Sequence, residues 1–195
     1  VHLAANPLPD WPAPDPATPR EHLIVSVGRL VPQKRHDDVI RAFARIAPNH
    51  PSWRLEIVGE GPERGRLTRL AAELSITPRV DLVGHINDIR STLLRARLLV
   101  LASEFEGTPN VVLEGLFAGL RVVVSDAVPA LPETLNPGQA LTRFPASSVE
   151  GLAGELATVL AESEGWPASV SGPLVEGFER FATEAAATWS AVLAP

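Results

Sequence analysis

Five short apolar segments recur along this chain, and a stretch with a helical pattern separates each one from the next. The segments are predominantly apolar, which is typical of strands covered on both faces. Strands that alternate with helices predict a parallel sheet between two layers of helices. The five segments occupy residues 23–27, 53–58, 80–83, 98–102 and 122–125.

The regions between these segments carry helix signals, and such signals continue toward the C-terminus. The predicted fold class is therefore α/β, with a Rossmann-like parallel sheet and helices on both faces. Apolar residues at helical spacing, together with capping residues and prolines at the expected starts, locate the helices. They are predicted over about 37–47, 62–74, 87–95, 109–118, 149–162 and 174–193.

The chain divides into three parts. Six prolines between residues 6 and 19 exclude a helix or a central strand there, so residues 1–21 are interpreted as the remnant of an interdomain linker. Residues 22–165 hold the alternating strands and helices and form the Rossmann-like domain. Residues 166–195 are predicted to be a C-terminal helical segment.

Composition excludes several classes of function. The chain of 195 residues has no cysteine, which removes disulfides, thiolate metal sites and a cysteine nucleophile. Its net charge of -6 argues against nucleic acid as a partner. No apolar run reaches the roughly 18–20 residues that a membrane helix needs, and no signal peptide is evident. These features fit a cytoplasmic protein.

A glycine and three cations follow the first predicted strand. Gly28 lets a ligand approach the backbone closely, and Arg29, Lys34 and Arg35 bring positive charge to the carboxyl ends of the strands. The N-terminus of the next helix also attracts anions. This arrangement favours a diphosphate as ligand; the alternative is that the cations are solvated surface charges.

Glycine-containing turns also follow the second and third strands. Gly61 lies in the Gly59–Pro62 turn, which is interpreted first as a tight connection into a helix and second as a backbone lining for a ligand. Gly84, His85 and Ile86 follow the third strand, where their backbone N–H and C=O groups suit a flat base. An ordinary connecting turn is the alternative. His85 lacks the sequence partners that a zinc site or a catalytic triad requires.

Two glutamates frame the start of the helix predicted over 109–118. Glu106 lies in the loop before it, Glu114 lies within it, and seven residues separate them. Both carboxylates are expected to face the crevice at the strand ends and to accept hydrogen bonds from vicinal sugar hydroxyls. The alternatives are a paired-carboxylate hydrolase and an idle surface position for Glu114. A helix N-terminus suited to phosphate oxygens is formed by Thr108, Pro109, Asn110 and Val111.

Four segments, in this order, resemble the donor-binding half of the retaining GT4 (group 1) glycosyltransferases. The resemblance covers about residues 20–162, and its most specific element is the pair of glutamates with their flanking residues. It implies one half of a GT-B fold, in an enzyme that transfers a sugar from a nucleotide-diphospho-sugar to an acceptor. The segments are GRLVPQKR, VGEGPERGRL, VDLVGHIND and SEFEGTPNVVLEGLFAGLRVVVSD.

The resemblance implies a role for each candidate residue. Arg29 and Lys34 would hold the diphosphate and stabilise it as the leaving group, so that no metal or other cofactor is required. Glu106 would contact the donor sugar, which completes the catalytic set, and Glu114 would bind the ribose hydroxyls. The base pocket would be lined by Gly84, His85 and Ile86. The remaining donor-binding positions are Gly28, Gly61, Thr108, Pro109, Asn110 and Val111.

The resemblance also implies partners. The donor would be a nucleotide-sugar, with UDP favoured over GDP. A glycan, lipid or small-molecule acceptor would bind to an N-terminal domain outside this sequence, so the isolated chain is expected to be inactive. Peripheral association with the inner face of a membrane, through that N-terminal domain, remains open. Two other functions remain as alternatives: a nucleotide-sugar-binding module that works with a separate acceptor subunit, and an epimerase-type relative.

Overall fold

A six-stranded sheet, in which all neighbouring strands are parallel, organises the chain. The computed structural model describes residues 19–107, 109–129 and 138–162, together with Thr183. The predicted Rossmann-like parallel sheet is confirmed. Most of the predicted linker, the helix predicted over 174–193 and the candidate residue Thr108 lie outside the described residues.

Five of the six strands coincide with the predicted segments, whose predominantly apolar residues suit a sheet with helices on both faces. The sixth was not predicted. It is only four residues long, it has the mixed sequence LTRF, and Phe144 is its one buried residue. The strands are β1 (Leu23–Val27), β2 (Arg54–Val58), β3 (Val80–Gly84), β4 (Leu98–Leu101), β5 (Arg121–Ser125) and β6 (Leu141–Phe144).

The helices follow the predicted order but begin slightly later at three places. The second starts after the turn that contains Pro62. The third starts after Asp88, whose side chain accepts a hydrogen bond from the amide of Arg90 at 3.0 Å. The fourth has Pro109 at its N-cap. No helix within the described residues is long and apolar enough to span a bilayer. The helices are α1 (His36–Ile46), α2 (Arg64–Glu73), α3 (Ile89–Arg95), α4 (Asn110–Phe117) and α5 (Val149–Glu162).

The core consists of two apolar layers, one on each face of the sheet. Helices α1, α2 and α5 pack on one face, where Phe43 is fully buried. Helices α3 and α4 pack on the other face, where Leu116 is fully buried. At α4 the packing is close, because a Cβ added to Gly115 would lie 2.6 Å from the Cδ2 of Leu99 on β4.

The strand order creates a crevice at one edge of the sheet. The order is β3-β2-β1-β4-β5-β6, so the chain builds outward from β1 in one direction and then from β4 in the other. The helices after β1 and β4 lie on opposite faces of the sheet. Loops that leave neighbouring strands toward opposite faces leave a crevice between them, and open α/β sheets bind ligands at that point.

The carboxyl ends of β1, β2 and β3 are joined through glycine backbones. The amide of Gly28 donates to the carbonyl of Val58 at 3.0 Å, and the amide of Gly59 donates to the carbonyl of Gly84 at 2.8 Å. Gly59 has φ of 145°, and a Cβ at this position would lie 1.9 Å from the Gly28 oxygen. A side chain at residue 59 is therefore excluded on both steric and conformational grounds.

We expect Gly59→Ala to lower the free energy of unfolding by about 1–3 kcal/mol, the usual cost of overpacking. The added methyl group would meet the Gly28 carbonyl and separate the ends of β1 and β2. Gly154→Ala is the matched control, since Gly154 is exposed in α5 and a Cβ there would meet nothing within 4 Å. That control should stabilise the protein by roughly 0.5–1 kcal/mol. Urea unfolding measures both changes, and equal stability of the two variants would contradict this account of Gly59.

Candidate functional site

Arg29 is an exposed cation at the carboxyl end of β1. No ion pair or side-chain hydrogen bond joins it to any other residue that the structure describes. The turn on which it lies is held on both sides, because Gly28 donates to Val58 and the Leu30 amide donates to the Glu60 carbonyl at 2.8 Å. A fixed backbone that carries an unpaired guanidinium is suited to binding an anion.

Lys34 and Glu106 meet across the crevice. The ammonium group of Lys34 donates to Oε1 of Glu106, and the hydroxyl of Ser103 donates to the same oxygen at 2.6 Å. The stem of Lys34 lies against Gly28, where an added Cβ would be 3.3 Å from the lysine Cδ. The two side chains are only 17% and 11% exposed. Both residues are candidates from the sequence, and the structure brings them into direct contact.

The loops after β1 and β4 are also joined by their neighbouring residues. The amide of Glu104 donates to the Gln33 carbonyl at 2.9 Å, and the side-chain amide of Gln33 donates to the Phe105 carbonyl at 2.7 Å. Arg35 donates to Glu104 at 2.6 Å and to Asp38 at 3.0 Å. Arg35, one of the three candidate cations, therefore pairs with carboxylates and links the two loops.

The N-terminus of α4 lies beside the Glu106 loop. Pro109 is buried, Asn110 is exposed and Val111 is half-buried. The first turn of a helix leaves N–H groups without partners inside the helix, and these groups favour anions. The helix start expected for phosphate binding therefore lies at Pro109 and Asn110, its binding of anions stays a prediction, and Thr108 lies outside the described residues.

Glu114 is a half-buried carboxylate on α4. Burial raises its pKa above the ordinary value of 4.5, because the charged form loses hydration. Among the described residues, no ion pair or hydrogen bond reaches its side chain, and none joins it to Lys34 or Glu106. An unpartnered acid of this kind retains its hydrogen-bonding capacity for a ligand.

A cleft of about 370 Å³ opens at the ends of β1, β2 and β3. The predicted residues Gly28, Arg29, His85 and Ile86 line it, but Gly84 and Gly61 do not. Gly84 instead accepts the Gly59 amide, and a Cβ on Gly61 would lie 2.3 Å from the Leu30 oxygen, so that glycine packs against backbone. The other lining residues are Val27, Val58, Gly59, Glu60 and Ile89.

Three polar side chains at the carboxyl ends of the strands were not predicted from the sequence. Ser103 holds Glu106, and the signal was a hydroxyl three residues before that glutamate at a strand end. Gln33 joins the two loops through a contact between residues 72 positions apart, which no local pattern indicates. Glu60 lines the cleft and pairs with Arg64 at 3.2 Å. Its place beside two glycines in a strand-end turn was the available signal.

Residues 10–166 match the protein family described as glycosyl transferases group 1. The chain belongs to this family. The resemblance drawn from the sequence motifs is therefore confirmed at the level of the family, and the enzyme class that it supports is a glycosyltransferase.

Curated relatives of this group 1 glycosyltransferase chain are much longer than the chain. An exopolysaccharide phosphotransferase of Streptomyces coelicolor is 35% identical over 176 residues, which cover 88% of this chain and 19% of that protein. A glycogen synthase of Mycobacterium tuberculosis is 33% identical over 154 residues, which cover 77% of this chain and 37% of that protein. The chain thus spans well under half the length of either relative.

Solved structures share the fold at low sequence identity. The pneumococcal O-GlcNAc transferase GtfA in complex with UDP and GlcNAc superposes with a TM-score of 0.76 and 20% identity, over 97% of this chain and 38% of that one. A mutant of S. aureus TarM in complex with Fondaparinux, alpha-GlcNAc-glycerol and UDP gives a TM-score of 0.82 and 17% identity, over 96% and 38% of the two chains. The neighbours are GT-B glycosyltransferases, so the expected fold is confirmed.

We expect Glu114→Gln to raise the free energy of unfolding at pH 7. Since burial raises the pKa of this carboxyl group, its ionisation destabilises the folded state, and the amide removes that penalty. This gain should shrink as the pH falls through the raised pKa and vanish below about 4.5, where the carboxyl group is neutral in both the folded and the unfolded chain. Chemical denaturation across this pH range measures the difference. A variant less stable than the parent at pH 7 would mean that Glu114 has a stabilising partner.

Proposed function

We propose that this chain is the donor-binding half of a retaining glycosyltransferase whose donor is a nucleotide-diphospho-sugar. One observation carries the proposal: the unpaired Arg29 and the Glu106-paired Lys34 lie at the switch point of the sheet, beside a cleft suited to a flat base. A diphosphate between a base and a sugar is a ligand that makes use of all three features.

The diphosphate in this proposal lies between Arg29 and Lys34. The planar guanidinium and the ammonium neutralise its charge, and they stabilise the leaving group as the bond to the sugar breaks. The N-terminus of α4 adds N–H groups to the same anion. No metal ion is required in this scheme, because the two cations supply the positive charge.

The nucleoside occupies the cleft at the ends of β1 to β3. Val27, Ile86 and Ile89 provide apolar contacts for a flat base, and the backbone at His85 and Ile86 provides polar groups to read its edge. Glu114 accepts hydrogen bonds from the ribose hydroxyls. UDP is the first choice of nucleotide, supported by the solved neighbours GtfA and TarM, whose crystals contained UDP.

The sugar lies next to Glu106, and the acceptor binds to a part of the enzyme outside this chain. The small share of the relatives' length that the chain spans supports this division. The acceptor, whether glycan, lipid or small molecule, and any membrane contact belong to that other part. By itself the chain binds the donor without transferring the sugar. The cytoplasmic location and the retention of anomeric configuration remain predictions.

We expect Arg29→Ala to weaken UDP binding by roughly ten- to a hundredfold, since a hydrogen bond to a charged group contributes about 1.5–3 kcal/mol. Uridine binding should stay the same, because uridine has no phosphate. Arg41→Ala is the matched control: it removes an exposed arginine of α1 and should leave both affinities unchanged. Isothermal titration calorimetry measures all four values. Equal losses of affinity for UDP and uridine would mean that Arg29 supports the fold and does not contact the diphosphate.

We expect Glu106→Gln to strengthen UDP binding by roughly two- to tenfold, because it releases Lys34 from its ion pair and removes a negative charge beside the diphosphate. The extra affinity that an intact UDP-sugar has over UDP should fall, since the carboxylate no longer accepts from the sugar hydroxyls. Calorimetry with the two ligands separates these effects.

Glu104→Gln is the control for the charge change. Glu104 lies two residues earlier, is 48% exposed and pairs with Arg35 instead of Lys34. Its substitution should change UDP affinity far less, and Lys34→Ala in the Glu106→Gln background should abolish the gain. A Glu106→Gln variant with weaker UDP binding would contradict the proposed competition between the carboxylate and the diphosphate.

A further inference from the structure

A buried polar pair lies directly beneath the turn that carries Arg29. His36, the first residue of α1, is 2% exposed, and Ser26 on β1 is 1% exposed. Nδ1 of the imidazole lies 3.1 Å from the Ser26 hydroxyl oxygen. The other ring nitrogen, Nε2, is buried and has no hydrogen-bond partner of good geometry in the part of the chain that the structure describes. Buried polar atoms are rarely left in this way, so the arrangement requires a physical reason.

The ring is neutral at physiological pH. Burial lowers the pKa of His36 to about 4, while the nearby carbonyls of Gly28 and Arg29 and the charge of Asp37 oppose the shift and Lys34 adds to it. A neutral imidazole has one donor and one acceptor nitrogen. If Nδ1 accepts from the Ser26 hydroxyl, the proton lies on Nε2, and Nε2 then needs an acceptor.

The acceptor within reach is the Gly28–Arg29 backbone. The Arg29 carbonyl already accepts from the Val31 amide at 2.9 Å. The Gly28 carbonyl lies within hydrogen-bonding reach of the ring, and no backbone amide of the turn donates to it among the described residues. Because Nε2 nevertheless makes no hydrogen bond of good geometry, a buried donor and a carbonyl with spare accepting capacity lie side by side.

We propose that His36 is a positioning residue of the donor site, whose Nε2–H bonds the Gly28 carbonyl when the turn closes on a diphosphate and so fixes Arg29 against that diphosphate. This inference rests on the proposed function. A bond formed only when the phosphates bind adds to the affinity for nucleoside diphosphates and not to the affinity for nucleosides. His36 itself does not touch the ligand.

The test compares UDP and uridine binding in three variants. His36→Phe keeps a ring of similar size and removes both nitrogens, and it should weaken UDP binding by about two- to tenfold, the effect of one net hydrogen bond, with uridine unchanged. His36→Gln places an amide N–H near the position of Nε2 and should restore most of that loss. Ser26→Ala frees the tautomer and should fall between His36→Phe and the parent protein.

A measurement on the parent protein complements the variants. In ¹⁵N NMR spectra of the imidazole, UDP should shift the Nε2–H resonance in the manner of a newly formed hydrogen bond, and uridine should not. Arg29→Ala should abolish the UDP-induced shift, because the diphosphate then no longer contacts the turn through the Arg29 side chain. This readout applies even where His36→Phe fails to fold.

The outcomes distinguish the inference from the proposed function. An unshifted Nε2–H resonance at saturating UDP, or equal losses for UDP and uridine in His36→Phe, would overturn the role of His36 while the donor site stands. Failure of the parent protein to bind UDP, GDP and ADP alike would overturn the donor site and this inference together.

Discussion

The site depends on the connection between the loops that follow β1 and β4. Helices α1 and α4 lie on opposite faces of the sheet, so these loops diverge as they leave the strand ends. Residues 33–35 contact residues 104–106 through backbone, amide and charged groups, which hold the crevice at a defined width. Because Arg29 and Lys34 belong to one side and Glu106 to the other, their spacing follows from this connection.

In the proposed function, two anions compete for the ammonium group of Lys34: the Glu106 carboxylate and the diphosphate. Lys34 is largely removed from water and cannot remain there without a negative partner, because an uncompensated buried charge is strongly unfavourable. Glu106 supplies that partner in this structure. In the proposed function the diphosphate takes its place, and the released carboxylate becomes available to sugar hydroxyls. Occupation of the phosphate and sugar positions is then coupled through one lysine side chain.

Much of the fold could be predicted because its signals are local. Predominantly apolar runs identify β1 to β5, and their alternation with helical patterns indicates a parallel sheet. β6 was not predicted, because its four mixed residues with one buried side chain carry no such pattern. The strand order was not predictable from these signals, since it depends on which strands pair across long separations in the chain.

The sequence indicated where the candidate residues lie but not how they contact one another. Glycines and charges after strand ends pointed to the carboxyl ends of the strands, and Arg29, Lys34, Glu106, His85 and Ile86 all lie there. The pairing of Lys34 with Glu106 depends on the detailed path of two loops. The spacing of residues along the chain likewise does not show whether Gly61 and Gly84 line a ligand or pack against backbone. That depends on atomic distances in the folded protein.

The groups that this edge leaves unsatisfied give the strongest physical reason to regard it as a binding site. Arg29 lacks an ion pair, Glu114 is half-buried without a partner, and Nε2 of His36 is buried without an acceptor, each judged among the described residues. None of these arrangements stabilises the folded state, and a sequence selected for stability alone would have other residues at these three positions. A nucleoside diphosphate would satisfy Arg29 through its phosphates and Glu114 through its ribose. In the proposed site, the turn that holds those phosphates lies beside His36, so a single ligand relates to all three groups.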